Sequence, residues 1–90
     1  MKRITRPGLN IEKRLTQQTL GDLPGGACGV IRGLDGGKDF TARAAALGLA
    51  IGVEVTVIQN YGHGSVIVTM RGARVALGRG EAHKILVEPQ

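Results

Sequence analysis

FTARAAALGLAIGVEVTVIQ, residues 40–59, changes its hydrophobic period once, and that change decides the fold. Asp39 is a good N-cap, and Phe40, Ala44 and Leu47 fall at i, i+4 and i+7 on one helical face. Gly48 sits where a left-handed residue ends such a helix. Leu49 and Ile51 carry apolar surface over the turn, and Gly52 permits a second change of direction. The period then becomes two. Val53, Val55 and Val57 point one way, Glu54 and Thr56 the other, and Ile58 interrupts the polar face. Leu47 is expected to anchor the core, with Phe40 and Val55 as neighbours.

Strands flank this unit. Residues 27–33 alternate as a strand whose glycines imply close packing or a bulge. Asp35-Gly36-Gly37 forms the loop before the helix. After strand 53–59 comes the loop Asn60-Tyr61-Gly62-His63-Gly64. Strands 65–71 and 73–77 make a hairpin about Gly72, residues 78–83 have room for one helical turn, and 84–88 end the domain with Ile85 and Val87 inward. Short strands, glycine-rich turns and one early helix point to a mainly β domain. In so small a chain the pattern fits an SH3-like barrel of about five strands, closed to remove sheet edges.

Ninety residues make one domain at most. The single cysteine, Cys28, excludes an internal disulfide and favours a reducing compartment. The amino end is basic without an apolar run, and the longest uncharged apolar stretch, 44–53, is far below the roughly 20 residues of a membrane span. A cytoplasmic location without membrane insertion is expected.

The formal charge of +5 is unevenly placed. Residues 1–17 hold Lys2, Arg3, Arg6, Lys13 and Arg14 against Glu12, so most of the charge belongs to a basic, flexible tail. The domain, 18–90, is close to neutral. That weakens a nucleic-acid reading, and with one Phe, one Tyr and no Trp there is little to stack bases on.

Residues 19–88 resemble the ferrous iron transport protein A (FeoA) family. The resemblance runs through Leu20, Leu23-Pro24-Gly25-Gly26, Val30-Ile31, Arg43, Leu47-Gly48-Leu49, Gly52, Val55, Val57 and Arg71-Gly72. It continues in Ala76-Leu77, Glu81-Ala82, Ile85 and Val87. The chain departs from the family at Ala44, where Leu is usual, at Ile51, where proline is frequent, and at Gly78, where Arg is common. Tyr61-Gly62-His63-Gly64-Ser65 replaces a longer loop, and the basic tail is extra. The resemblance implies a non-enzymatic SH3-like barrel of the cytoplasm. Its implied partner is the membrane ferrous iron transporter FeoB, at or near the cytoplasmic GTPase region.

Catalytic and cofactor signals are thin. Cys28, Asp35, Glu54, His63, Glu81 and His83 are the conceivable metal ligands, but no spacing among them is a metal motif. Ser65, His63 and Asp35 supply the letters of a triad without a nucleophile elbow. GLDGGK, 33–38, lacks the Ser or Thr of a phosphate loop and carries an acidic residue. No cofactor is expected. The expected partner-binding residues are the apolar and loop groups Leu49, Ile51, Tyr61 and His63. The alternative is an RNA- or ribosome-associated module that uses the basic tail, with GDLPGGACGV, 21–30, as a loose match to its turn-and-strand motif.

Overall fold

A computed structural model describes residues 18–90; the basic segment 1–17 lies outside the described residues. Six antiparallel strands surround one core: β1 (Gln18–Thr19), β2 (Cys28–Leu34), β3 (Glu54–Gln59), β4 (Val66–Met70), β5 (Ala73–Leu77) and β6 (Ile85–Pro89). Helix α1 (Gly37–Ala46) connects β2 to β3, the single turn α2 (Arg79–Ala82) connects β5 to β6, and a 3-10 turn (Leu20–Asp22) follows β1. The sheet order is β1-β6-β2-β3-β4-β5.

The alternation in the sequence sets the inside. Val55 and Val57 of β3, Val66 and Val68 of β4, and Ile85 and Val87 of β6 are all fully buried in one cluster with Leu20, Ile31 and Leu77. Glu54 and Ile58 face out, as the period of two requires. β2 bends between Ile31 and Gly33, where the register with β6 shifts. Such a bulge bends the strand and increases its twist, and β2, inside the sheet, pairs with β3 on one side and β6 on the other. A second shift, between Val57 and Gln59, bends β3 against β4.

Three expectations need correction. The helix starts earlier than an Asp39 N-cap requires: Gly36 is the N-cap, and Asp39 lies in the first turn, where its charge suits the helix dipole. The described residues form six strands where about five are expected, since the two-residue β1 pairs with β6. And Leu47 is not a core anchor; it is 47% exposed, while Leu49 is 1% exposed.

The physical reason for the last lies in how α1 ends. Gly48 has φ 91°, a left-handed value that a Cβ would penalise. Its N–H donates to the Ala45 carbonyl at 3.0 Å, and the Leu49 N–H donates to the Ala44 carbonyl at 2.9 Å. These two bonds are the Schellman closure, in which the residue after the glycine folds back onto the last helical turn. Leu49 therefore packs under the helix beside buried Ala44 and takes the place that the i+7 rule gives to Leu47.

The sheet is curled rather than fully closed by hydrogen bonds. β1 and β5 stand at its two ends and do not pair with each other. α2 packs on the 3-10 turn across the gap. An ion pair from Arg43 of α1 to Glu81 of α2 ties the two helices together.

Candidate functional site

Among the described residues four large apolar side chains remain on the surface: Leu47, Ile51, Ile58 and Tyr61. They fall at the two ends of β3. Leu47 and Ile51 precede the strand; Ile58 and Tyr61 close and follow it. β3 is six residues long, which sets its two ends roughly 15–20 Å apart at the usual rise.

At the first end, Ile51 is 64% exposed at the tip of a tight turn. The Val53 N–H donates to the Ala50 carbonyl at 3.1 Å, and Gly52, φ 93°, takes the left-handed position that a type II turn demands. The Gly52 N–H in turn donates to Ile31 of β2 at 2.7 Å. The turn is thus sewn to the sheet, and Ile51 is displayed from a backbone with few alternatives. Leu47, at the helix C-cap, flanks it in sequence.

At the second end, the loop 60–65 is held by one side chain. The Asn60 amide donates to the carbonyls of Gly21 (3.0 Å) and Leu23 (2.7 Å). Its oxygen accepts from the Gly62 N–H at 3.0 Å and from Arg79 at 2.7 Å. Arg79 also donates to the Gly64 carbonyl at 3.1 Å. Loop, 3-10 turn and α2 therefore meet at Asn60. Tyr61, 71% exposed, and exposed His63 project from this clamped loop.

The expected partner surface of Leu49, Ile51, Tyr61 and His63 does not exist as one patch. Leu49 is in the core, for the Schellman reason given above. Ile51 is exposed but lies at the opposite end of β3 from Tyr61 and His63. Leu47 joins Ile51 as an exposed apolar residue that pattern reading placed inside. Asn60 and Arg79 were missed too. An Asn two residues before a Gly is a local turn signal, but nothing in the sequence marks Arg79 as its partner.

The polar candidates scatter. His83 is tied to the strand end: its Nδ1 lies 3.0 Å from Thr19 Oγ1, which donates to Asp22 Oδ2 at 3.0 Å. The Thr19 backbone N–H, also donating to Asp22, is the main cause holding that carboxyl below its usual range. Cys28 is half-buried and free. Among the described residues no three of His, Cys, Asp and Glu converge as metal ligands. None of the described helices is long and apolar enough to cross a membrane.

Known proteins share this fold. The FeoA domain family model matches residues 18–89. A Methanocaldococcus jannaschii protein named as an Fe(2+) transport protein A is 37% identical over 59 residues, covering 66% of this chain and 71% of that protein. A crystal structure of an iron uptake regulatory protein (FeoA) superposes with TM-score 0.79 at 24% identity, over 82% of this chain and 99% of that one. Stenotrophomonas maltophilia FeoA, complexed with zinc and described as an SH3 domain protein, gives 0.70 at 23% identity over 81% and 95%. A manganese-dependent transcriptional repressor gives 0.75 at 20% identity, over 82% of this chain and 42% of the repressor. At such identities the structural likenesses speak for the fold alone. The family match spans nearly all the described residues and includes the Schellman unit, the β4–β5 hairpin and the last strand, so the chain belongs to the FeoA domain family.

Proposed function

We propose that this chain is an accessory protein of ferrous iron uptake that acts by contact and contributes no catalytic group, metal ligand or nucleotide site. Its partner in this reading is the cytoplasmic GTPase region of the membrane transporter FeoB, which places the chain in the cytoplasm. Residues 18–90 form the contacting domain, and residues 1–17 are a basic appendage to it. Membership in the FeoA family and the names of its relatives, one an Fe(2+) transport protein A and another a candidate activating factor of ferrous iron transport, support the process.

One observation carries the contact: Ile51 stands exposed on a turn that is hydrogen-bonded to itself and to β2. Burying an apolar group from a fixed backbone gains the hydrophobic term with little ordering cost. Leu47 extends the apolar character of this end. The Tyr61–His63 loop, clamped by Asn60 and Arg79, is the second candidate contact.

The test is co-purification. A tagged chain is drawn from membranes of cells expressing the transporter, beside an Ile51→Asp variant. Recovery of the transporter with the native chain and its loss with the variant is the expected result. Recovery of ribosomes instead identifies an RNA-associated module and overturns the proposal. Retention of the transporter by Ile51→Asp but not by Tyr61→Ala moves the contact to the second loop.

A further inference from the structure

We propose that the outer edge of β5 is a docking site for an extended, acidic segment of a partner protein, which joins the sheet beside β5 as an added strand. This site is independent of the Ile51 contact.

Among the described residues β5 pairs only with β4, in the register Met70↔Ala73, Thr69↔Arg74, Val68↔Val75, Ile67↔Ala76 and Val66↔Leu77. The turn between them is Arg71-Gly72, both with positive φ, 51° and 80°. That is the two-residue type I′ hairpin, and its closing pair, Met70 and Ala73, exchanges hydrogen bonds. Bonded and non-bonded pairs then alternate. Val75 and Leu77 thus spend their backbone groups on β4, while Arg74 and Ala76 turn their N–H and C=O to the unpaired side. Each is a strong hydrogen-bonding group with no ladder partner among the described residues.

The side chains state what would fit. Arg74 and Ala76 are exposed on the outer face; Val75, on the other, is half-buried against the core. No Asp or Glu occurs from Val66 to Gly80, a stretch that holds Arg71, Arg74 and Arg79. Arg71 and Arg74 form no ion pair among the described residues. Opposite charges across neighbouring strands stabilise and like charges destabilise. The fitting occupant therefore carries a carboxylate on its outer face beside Arg74 and an apolar side chain on its inner face beside Val75. Main-chain bonds supply affinity and the alternate side chains supply choice, as in other strand additions. Charge opposes the rival occupants. Residues 1–17 hold five basic groups against one acidic, and a second copy added edge to edge would bring arginines toward arginines.

The test uses the full-length, 15N-labelled protein and two synthetic peptides, Thr-Val-Glu-Val-Glu-Val-Thr and its counterpart with Lys in place of Glu. Amide exchange and chemical shifts are read with peptide at about 1 mM, suited to weak strand addition. The Glu peptide is expected to slow exchange at Arg74 and Ala76 by about tenfold or more, leaving Val68 and Val75 unchanged because they are already paired. The Lys peptide is expected to bind roughly fivefold more weakly or worse. Arg74→Glu should reverse the order of the two peptides, and Arg74→Gln should remove the difference between them. If Arg74→Glu does not fold, Arg74→Gln and the native comparison decide alone. No protection from the Glu peptide, or equal protection from both, means the arginines merely guard a solvated edge and overturns the proposal. Protection already present in the free protein assigns the edge to a second copy if it depends on concentration, or to residues 1–17 if it does not, and overturns it equally.

Discussion

Truncating Leu49 and Leu47 separately gives a sharp contrast from two leucines two residues apart. Leu49 is 1% exposed, packed under α1 beside Ala44. Leu49→Ala removes its apolar bulk from the core and leaves a cavity that helix and sheet fill only in part. Such changes cost about 2–5 kcal/mol. For a domain of this size each kcal/mol lowers the melting temperature by about 4–8 °C, so a loss of roughly 8–40 °C is expected. Leu47 is 47% exposed, and Leu47→Ala gives up only part of a transfer term, about 1 kcal/mol or less. Gly48 is left alone in both variants, so the left-handed closure stays intact. The assay is thermal or urea unfolding followed by circular dichroism, with the urea slope checked for constancy. A larger loss from Leu47→Ala than from Leu49→Ala would refute the Schellman assignment and restore Leu47 as the core anchor.

Other outcomes follow from the same contacts. Asn60→Ala should cost about 1–3 kcal/mol, since it leaves the Gly21 and Leu23 carbonyls without their donor, and should speed hydrogen exchange at Gly62. Asp22 has its carboxyl held low chiefly by the Thr19 N–H, then by the Thr19 hydroxyl and by His83. A lowered folded-state value stabilises above the unfolded value, near 3.8, and is lost as pH falls through the folded one; Asp22→Asn should flatten that part of the acid unfolding curve. A chain beginning at Gln18 is expected to fold and to melt within a few degrees of the full chain, because one core cluster already unites strands and helix; failure to fold would make residues 1–17 part of the core.

Much of the fold was legible because period and turn chemistry act locally. Val53, Val55 and Val57 announce an inward face, Arg71-Gly72 a hairpin, and Gly48 a helix end, each from neighbours along the chain. The error at Leu47 and Leu49 came from carrying the helical period one step past its end. Once Gly48 closes the helix, the Schellman rule assigns the buried contact to the following residue, so that information was present but outranked. β1 was missed for a different reason. Two residues carry no period, and Gln18 and Thr19 become a strand only because β6 lies beside them. The Asn60–Arg79 clamp joins residues nineteen apart and is invisible to local reading. The candidate surface suffered most. Ile51 is exposed as expected, but Leu49 beside it is drawn into the core, and the separation of Ile51 from Tyr61 depends on the length and direction of β3.

Ferrous iron uptake in cells carrying Ile51→Asp tests the contact account most directly, provided the purified variant is melted alongside. A carboxylate on this exposed turn has no core to disturb, but it would have to lose its water in an apolar interface. The expected result is loss of uptake with circular dichroism and melting temperature nearly unchanged. Full uptake by a folded Ile51→Asp protein would contradict the account.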